Sequence, residues 1–177
     1  LAFTADTNQL YLPTSPSNNI INHTYYSLSY NDSLLATEWV AYEITTASAF
    51  GGVSRSNSFK EDPELPNIAL KSSYAKSGYD RGHLCPAGSM AFNDTAMKES
   101  FFMTNMSPQV PGFNRGIWKK LEAQVRSWGY ENQQVIVVTG PVLTSFIDTI
   151  GTIPVPQYFY KVIIDITPPE LKGLGFI

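Results

Sequence analysis

The stretch Tyr79-Asp80-Arg81-Gly82-His83 decides how the rest of this sequence is interpreted. It ends a β-like run and brings a histidine, an arginine and an aspartate within three positions of one another. An imidazole titrates in the range that a general base needs, and an arginine can hold phosphate oxygens. We therefore predict that His83 is a general base and that Arg81 binds phosphate. The alternatives are a strand-end histidine bonded to a backbone carbonyl, and an Asp80–His83 metal pair, which the charge of Arg81 disfavours.

A second polar group follows about thirty residues later, where Asn114 opens a predicted helix that carries Glu122 and Arg126. An amide oxygen suits Mg²⁺, which keeps most of its waters and needs few protein ligands. In a regular helix Glu122 lies roughly 12 Å along the axis from Asn114, so one ion cannot easily take both side chains. If Asn114 binds a metal directly, Glu122 acts through a water. The alternatives are a helix N-cap at Asn114 and a surface salt bridge between Glu122 and Arg126.

Three further residues carry weaker signals. Asn105 lies in a polar loop that could orient the histidine or fix the metal loop, or that is only a turn. Cys85 is the single cysteine, so we predict a small buried residue rather than a nucleophile or a metal ligand. His23 lies in a polar N-terminal arm without evident partners, and it is assigned no role.

Charge and composition limit the classes of function. The net charge of −3 and the pI of about 5.3 argue against a tight, static nucleic-acid binder, but not against an enzyme that releases its product. Residues 1–54 contain no Lys or Arg, whereas several basic residues fall near the predicted site, which predicts a local positive patch. No apolar run reaches the length of a membrane span, so no membrane partner is expected.

Hydrophobic periodicity predicts an α+β fold with a central antiparallel sheet and flanking helices. A short strand is expected at Gln9–Leu12, and a long loop over residues 46–70. The predicted longer strands are Tyr25–Tyr30, Thr37–Thr45, Gln134–Thr139 and Tyr158–Ile166. The predicted helices are Asp94–Met103 and a second from Gly112 through about Trp128, ended by Gly129. A stripe of Trp118, Leu121, Val125 and Trp128 should face the core.

The segment Ser77–Ala87 (SGYDRGHLCPA) resembles the Asp-Arg-Gly-His signature of the DNA/RNA non-specific endonucleases. This is the ββα-metal group that includes mitochondrial endonuclease G. The match continues in order through Thr104–Gln109 and Phe113–Glu122, and Arg55–Lys60 and Thr139–Pro141 also look like family positions. The resemblance spans roughly residues 25–166.

The resemblance implies a single nuclease domain over residues 1–177 with a ββα-metal active-site motif, and it leaves a truncated C-terminus open. It implies Mg²⁺, with Mn²⁺ or another divalent cation as alternatives, and DNA and RNA as substrates cut to products with 5′-phosphates. The implied site residues are His83 as general base, Asn114 as direct metal ligand, Glu122 as ligand through water, Arg55, Arg81 and Arg126 on phosphate and developing charge, and Asn105 as close support.

Two other functions remain open at the level of sequence. One is a nuclease fold without turnover that binds nucleic acid, and the other is a phosphodiesterase for small nucleotides. A homodimer or an inhibitor protein is a further partner that the sequence does not decide. Exported and organellar relatives lead us to expect an extracytoplasmic or secreted location.

Overall fold

The computed structural model describes residues 12–65 and 71–177. Its strands are β1 (Ile20–Asn22), β2 (Tyr26–Asn31), β3 (Ala36–Thr45), β4 (Asp80–His83), β5 (Met106–Gln109), β6 (Gln134–Pro141), β7 (Phe146–Ile150), β8 (Ile153–Pro156), β9 (Phe159–Asp165) and β10 (Lys172–Phe176). Six of them form one antiparallel sheet in the order β1-β2-β3-β6-β9-β10. The pairs β4–β5 and β7–β8 form two small antiparallel sheets. The predicted α+β class with a central antiparallel sheet is confirmed.

The central strands bury both faces of the large sheet. Val40 and Tyr42 of β3 point into the main core, whereas Trp39 and Ala41 point into a second cluster on the opposite face. This arrangement follows from the alternation of side chains along a strand. β6 lies between β3 and β9 and is rich in valine and isoleucine, which fit a pleated buried surface.

The helices lie between β4 and β6 in the chain. They are α1 (Asp94–Glu99), α2 (Pro111–Phe113) and α3 (Lys119–Glu131), and a π-helical segment, Asn114–Trp118, joins α2 to α3. Asn93 caps α1, because its side chain accepts hydrogen bonds from the backbone N–H groups of Thr95 and Ala96. The predicted end of this helix at Met103 was wrong, since Phe102 is extended and a 3₁₀ turn leads directly into β5.

The sequence suggested that Gly129 ends the second helix, but α3 continues to Glu131. A Cβ atom at Gly129 would lie 2.4 Å from Cγ2 of Ile44 in β3. The absence of a side chain at Gly129 therefore lets α3 pack closely against β3 at this position. The predicted apolar stripe of this helix is confirmed, since Trp118 and Val125 are buried in the main core and Leu121 and Trp128 pack against it.

This contact predicts that Gly129→Ala lowers the free energy of unfolding by about 1–3 kcal/mol through overpacking, although alanine favours helix. Gly112→Ala is the matched control, because a Cβ atom at Gly112 would have no neighbour within 4 Å. Urea unfolding of both variants measures the difference. Equal stability of the two variants would contradict the close approach of α3 to β3.

The loop predicted over residues 46–70 is described as far as residue 65. Residues 46–65 contain no helix or strand, only an isolated bridge between Lys60 and Phe102. Most of the strand predicted at Gln9–Leu12 lies outside the described residues. Within residues 12–65 and 71–177, every helix is too short or too polar to cross a membrane.

Candidate active site

A cleft of about 530 Å³ lies between the end of β4, the backbone at residues 86–88 and the helical segment that follows β5. Its polar and charged lining consists of Arg55, Arg81, His83, Asn114, Arg115, Lys119, Glu122 and Arg126. Every site residue predicted from the sequence is among them except Asn105. The cleft therefore combines one imidazole, one amide, one carboxylate and five basic side chains.

His83 is the last residue of β4 and only 7% of its surface is exposed. Its ring lies edge-on to Phe101 at 4.8 Å and also contacts Phe59 at 5.8 Å. Among the described residues its Nε2 atom has no hydrogen-bond partner. Burial and then the charge of Arg55 lower the pKa of His83 to about 3, against a hydrogen bond to the backbone of Arg81 that raises it. The imidazole is therefore neutral at ordinary pH, and Nε2 is available to accept a proton.

Gly82 serves the packing of the strand pair. A Cβ atom there would lie 2.2 Å from Cδ and Oε1 of Gln109 on β5. A side chain at this position would have to displace the buried side chain of Gln109. Gly82 therefore lets Gln109 pack against β4, the strand on which His83 pairs with Met106.

The side chain of Asn114 is held by a carboxylate and does not act as a helix N-cap. Its side-chain nitrogen donates to Oδ2 of Asp80 at 2.9 Å, and its backbone N–H continues the helical pattern to Val110. Arg115 donates to both oxygens of Asp80, at 2.8 and 2.5 Å, and this guanidinium holds the pKa of Asp80 below its usual range. Asp80 is thus committed to Arg115 and Asn114 and does not line the cleft with His83, which excludes the Asp80–His83 metal pair in this structure. The Oδ1 atom of Asn114 remains as the acceptor for a ligand.

The helix that carries Asn114 and Glu122 is not regular. Gly116 has φ −99° and ψ −110°, outside the helical range, in the middle of the π-helical segment that precedes α3. The axial spacing of a regular helix therefore does not apply between these two side chains. Both of them border the same cleft.

Burial raises the pKa of Glu122 to about 7, although the charges of Lys161, Arg126, Arg55 and Lys119 oppose this shift. Arg126 donates to the backbone carbonyl of Glu122 at 3.3 Å. Between these two described residues there is no carboxylate–guanidinium ion pair, so the simple surface salt bridge is not what the structure contains. Both side chains face the cleft instead.

Lys161 was not singled out in the sequence, where it lies in an apolar strand. It is fully buried in β9, and among the described residues its Nζ atom has no hydrogen-bond partner. The ammonium lies 4.6 Å from the ring centre of Trp118, one helical turn before Glu122, and 5.9 Å from that of Tyr42. Burial lowers the pKa of Lys161 to about 8, and the charge of Glu122 opposes this. The buried ammonium of Lys161 therefore interacts electrostatically with Glu122, the carboxylate that lines the cleft.

This burial predicts a pH-dependent stability. The pKa of Lys161 is about 8 in the folded chain and about 10.4 in an unfolded one. Between these values the unfolded state binds more protons, so the contribution of Lys161 makes stability rise with pH. Relative to Lys161→Met, the native chain should gain up to about 3 kcal/mol from pH 8 to 10.4.

Urea unfolding in a chelating buffer measures this gain, with Lys172→Met on the exposed strand β10 as the matched control. A stability difference between the native chain and Lys161→Met that stays constant over this pH range would contradict a depressed lysine pKa.

Asn105 does not line the cleft and is fully buried beside it. Its Oδ1 accepts from the backbone N–H of Cys85 at 2.7 Å, and its Nδ2 donates to the carbonyls of Cys85 and Ser100 at 2.9 and 2.8 Å. These bonds fix the chain two residues beyond His83. Cys85 is buried as predicted, and burial raises the pKa of its thiol well above the usual value, which leaves it a poor nucleophile.

The donor atoms in the cleft fit a hard divalent cation. The amide oxygen of Asn114 and the carboxylate of Glu122 are oxygen ligands, which Mg²⁺ prefers, and both face the same space. A small number of protein oxygens is typical of Mg²⁺, because that ion loses its waters reluctantly. The residues present therefore suit the cation that the resemblance implies.

The family model of the DNA/RNA non-specific endonucleases matches residues 4–176. The chain belongs to this family. Nuclease C1 of Cunninghamella echinulata var. echinulata is 37% identical over 156 residues, which cover 78% of this chain and 62% of that protein. The mitochondrial nuclease EXOG of Mus musculus is 32% identical, with 84% of this chain and 44% of that protein covered. The chain thus spans less than two thirds of the length of these relatives.

A solved structure shows the same fold as this endonuclease-family chain. It is the crystal structure of the EndoG/EndoGI complex, which concerns the mechanism of EndoG inhibition. The superposition has a TM-score of 0.86 at 30% identity and covers 99% of this chain and 80% of the other. The α+β architecture described above is therefore that of EndoG.

Proposed function

We propose that this protein is a Mg²⁺-dependent endonuclease that hydrolyses phosphodiester bonds in both DNA and RNA. The observation that carries the proposal is the unpartnered Nε2 atom of His83 beside a cleft that also holds Asn114, Glu122 and basic side chains. A buried polar atom without a partner requires an explanation, and a base that meets its substrate only in the bound complex provides one. Membership of the nuclease family supports the same chemistry.

In the proposed reaction, His83 takes a proton from a water molecule while the water oxygen attacks phosphorus. The bond between phosphorus and the 3′-oxygen breaks, and the leaving oxygen takes a proton from solvent water, which leaves a 5′-phosphate and a 3′-hydroxyl. The imidazole starts neutral, as its pKa of about 3 requires. The negative charge of a bound phosphodiester offsets the charge of Arg55, so substrate binding raises the proton affinity of His83.

The cation would be held directly by Oδ1 of Asn114 and through water by Glu122. When bound, it supplies positive charge that stabilises the phosphate in the transition state and the leaving oxygen. The hydrogen bond from Asn114 to Asp80 fixes the amide so that its oxygen stays available. Arg115 neutralises Asp80 and so keeps this carboxylate from competing for the ion.

Arg55, Arg81 and Arg126 would bind the phosphates on either side of the cut bond, since all three border the cleft. Phosphate contacts carry no base information and do not distinguish one sugar from the other. Recognition of this kind explains activity on both DNA and RNA without sequence preference.

The test is incubation of the protein with plasmid DNA, with a structured RNA and with a small aryl phosphodiester, each with Mg²⁺, Mn²⁺ or a chelator. We expect metal-dependent cleavage of both polymers. The products should carry 5′-phosphates, so a kinase should label their 5′ ends only after a phosphatase has removed these phosphates. Binding of the polymers without cleavage would instead support a nuclease fold that binds nucleic acid without turnover. Cleavage of the small diester alone would support a nucleotide phosphodiesterase.

A further inference from the structure

The loop that delivers Arg55 to the cleft is attached at both ends. At its start the N–H of Val53 donates to the carbonyl of Ala91 at 2.9 Å. At its end the backbone of Lys60 bonds to Phe101 at 3.2 Å and to Met103 at 2.9 Å. We call residues 53–60, between these attachments, the arch.

The arch places the side chains of Arg55 and Phe59 beside His83, the predicted base. The guanidinium carbon of Arg55 lies 5.0 Å from the ring centre of Phe101, and that of Arg81 lies 4.3 Å from the ring centre of Phe59. The rings of Phe59 and Phe101 are also the two that contact His83. Any shift of the arch therefore changes the surroundings of the imidazole and the position of one arginine.

A buried carboxylate holds the chain just beyond the arch. The side chain of Asp62 is fully buried, and its Oδ2 accepts hydrogen bonds from Nε2 of His23 at 2.9 Å and from the Thr104 hydroxyl at 2.5 Å. Its Oδ1 accepts from the backbone N–H of Glu64 at 3.0 Å. Although burial acts in the opposite direction, these bonds lower the pKa of Asp62. We call His23, Asp62 and Thr104 the Asp62 latch.

The latch joins three distant parts of the chain. His23 follows β1, Asp62 follows the arch, and Thr104 precedes β5, the partner of the strand that carries His83. The ring of Phe102 lies 5.0 Å from the His23 ring, while the neighbouring Phe101 faces His83. His23 therefore has partners, contrary to the expectation from sequence.

The three side chains of the latch are not arranged as a second catalytic centre. The Thr104 hydroxyl donates to the aspartate instead of contacting the histidine, so no base is placed to activate it. His23 and Asp62 have side-chain exposures of 4% and 0%, and Thr104 is also buried. None of the three lines the cleft.

We propose that the Asp62 latch is a positioning device that holds the arch so that Arg55 stays over the cleft. This proposal rests on the proposed nuclease function, because it gives Arg55 its phosphate. His23 and Thr104 act through Asp62, and all three are positioning residues. If Asp62 loses one of its hydrogen-bond donors, its buried negative charge is less well stabilised. The arch should then open locally, because it has no regular secondary structure.

The test compares His23→Leu, which removes the donor, with His23→Gln, whose amide nitrogen can donate to Asp62 from a similar position. Thr104→Val removes the other donor with little change in volume. Hydrogen exchange followed by mass spectrometry should show faster exchange of residues 53–62 in His23→Leu and Thr104→Val, with residues 80–83 unchanged. His23→Gln should exchange like the native chain. This measurement needs no activity, so it judges the latch even if the protein does not cleave nucleic acid.

The functional arm is a double-mutant cycle with Arg55→Ala. His23→Leu should lower kcat/KM for plasmid cleavage by about 10–100-fold in the native background, because small misplacements of a binding group have effects of this size. In the Arg55→Ala background the same substitution should cost several-fold less, because only the effect of Phe59 on the surroundings of His83 then remains. Equal losses in the two backgrounds, or exchange that rises throughout the chain rather than in the arch, would overturn the proposal.

Discussion

Replacing His83 with glutamine should lower kcat for plasmid cleavage by about 10²–10⁴-fold with little change in KM, the usual contribution of a positioned general base. Glutamine fills a similar volume between Phe59 and Phe101, but an amide cannot take up a proton at neutral pH. Steady-state kinetics with saturating Mg²⁺ measures the effect, and thermal unfolding checks that the variant is folded. Lys172→Gln, on the exposed strand β10 and outside the cleft lining, is the control.

Whether kcat or KM changes distinguishes a catalytic role of His83 from a role in substrate binding. Removing a base that acts only in the transition state lowers kcat and kcat/KM together. An increase in KM at constant kcat would instead mean that His83 only binds substrate.

Asn114→Ala should weaken Mg²⁺ binding by at least about 100-fold, whereas Glu122→Ala should weaken it by about tenfold. The larger effect follows because Oδ1 of Asn114 is proposed as a direct ligand, while Glu122 acts through water. Calorimetric titration of Mg²⁺ in a His83→Gln background measures affinity without turnover. Similar losses in the two variants would contradict the assignment of direct and water-mediated roles.

The strands that the sequence predicted are the longer apolar ones. β2, β3, β6 and β9 were found within a few residues of their observed limits, because each is rich in the apolar, β-branched or aromatic residues that favour strands. β5 and β8 are only four residues long and contain proline, so this signal is weak in them. Their pairing is decided by tertiary contacts that local sequence does not carry.

Most of the cleft residues were predictable because their chemistry is concentrated in two short segments, whereas Arg55 was assigned through the family resemblance. The hydrogen bonds that hold the site and the arch in place were not predictable, because the residues that form them are distant in sequence. His23 and Asp62 are 39 residues apart, and Asn114 and Asp80 are 34 apart. The kink at Gly116 was also hidden, because a helical pattern of apolar residues predicts regular geometry. Lys161 lies in an apolar run, where a lysine is expected to reach solvent rather than to be fully buried.

The most direct test of a histidine base in this cleft is chemical rescue of His83→Ala by imidazole. Removal of the ring leaves a space beside Phe101 and the cleft that free imidazole can enter. Thermal stabilisation of the variant by imidazole establishes that the ligand binds. We predict that Mg²⁺-dependent plasmid cleavage then returns in proportion to the concentration of neutral imidazole. Bound imidazole without any recovery of cleavage would contradict the role of His83 as the base.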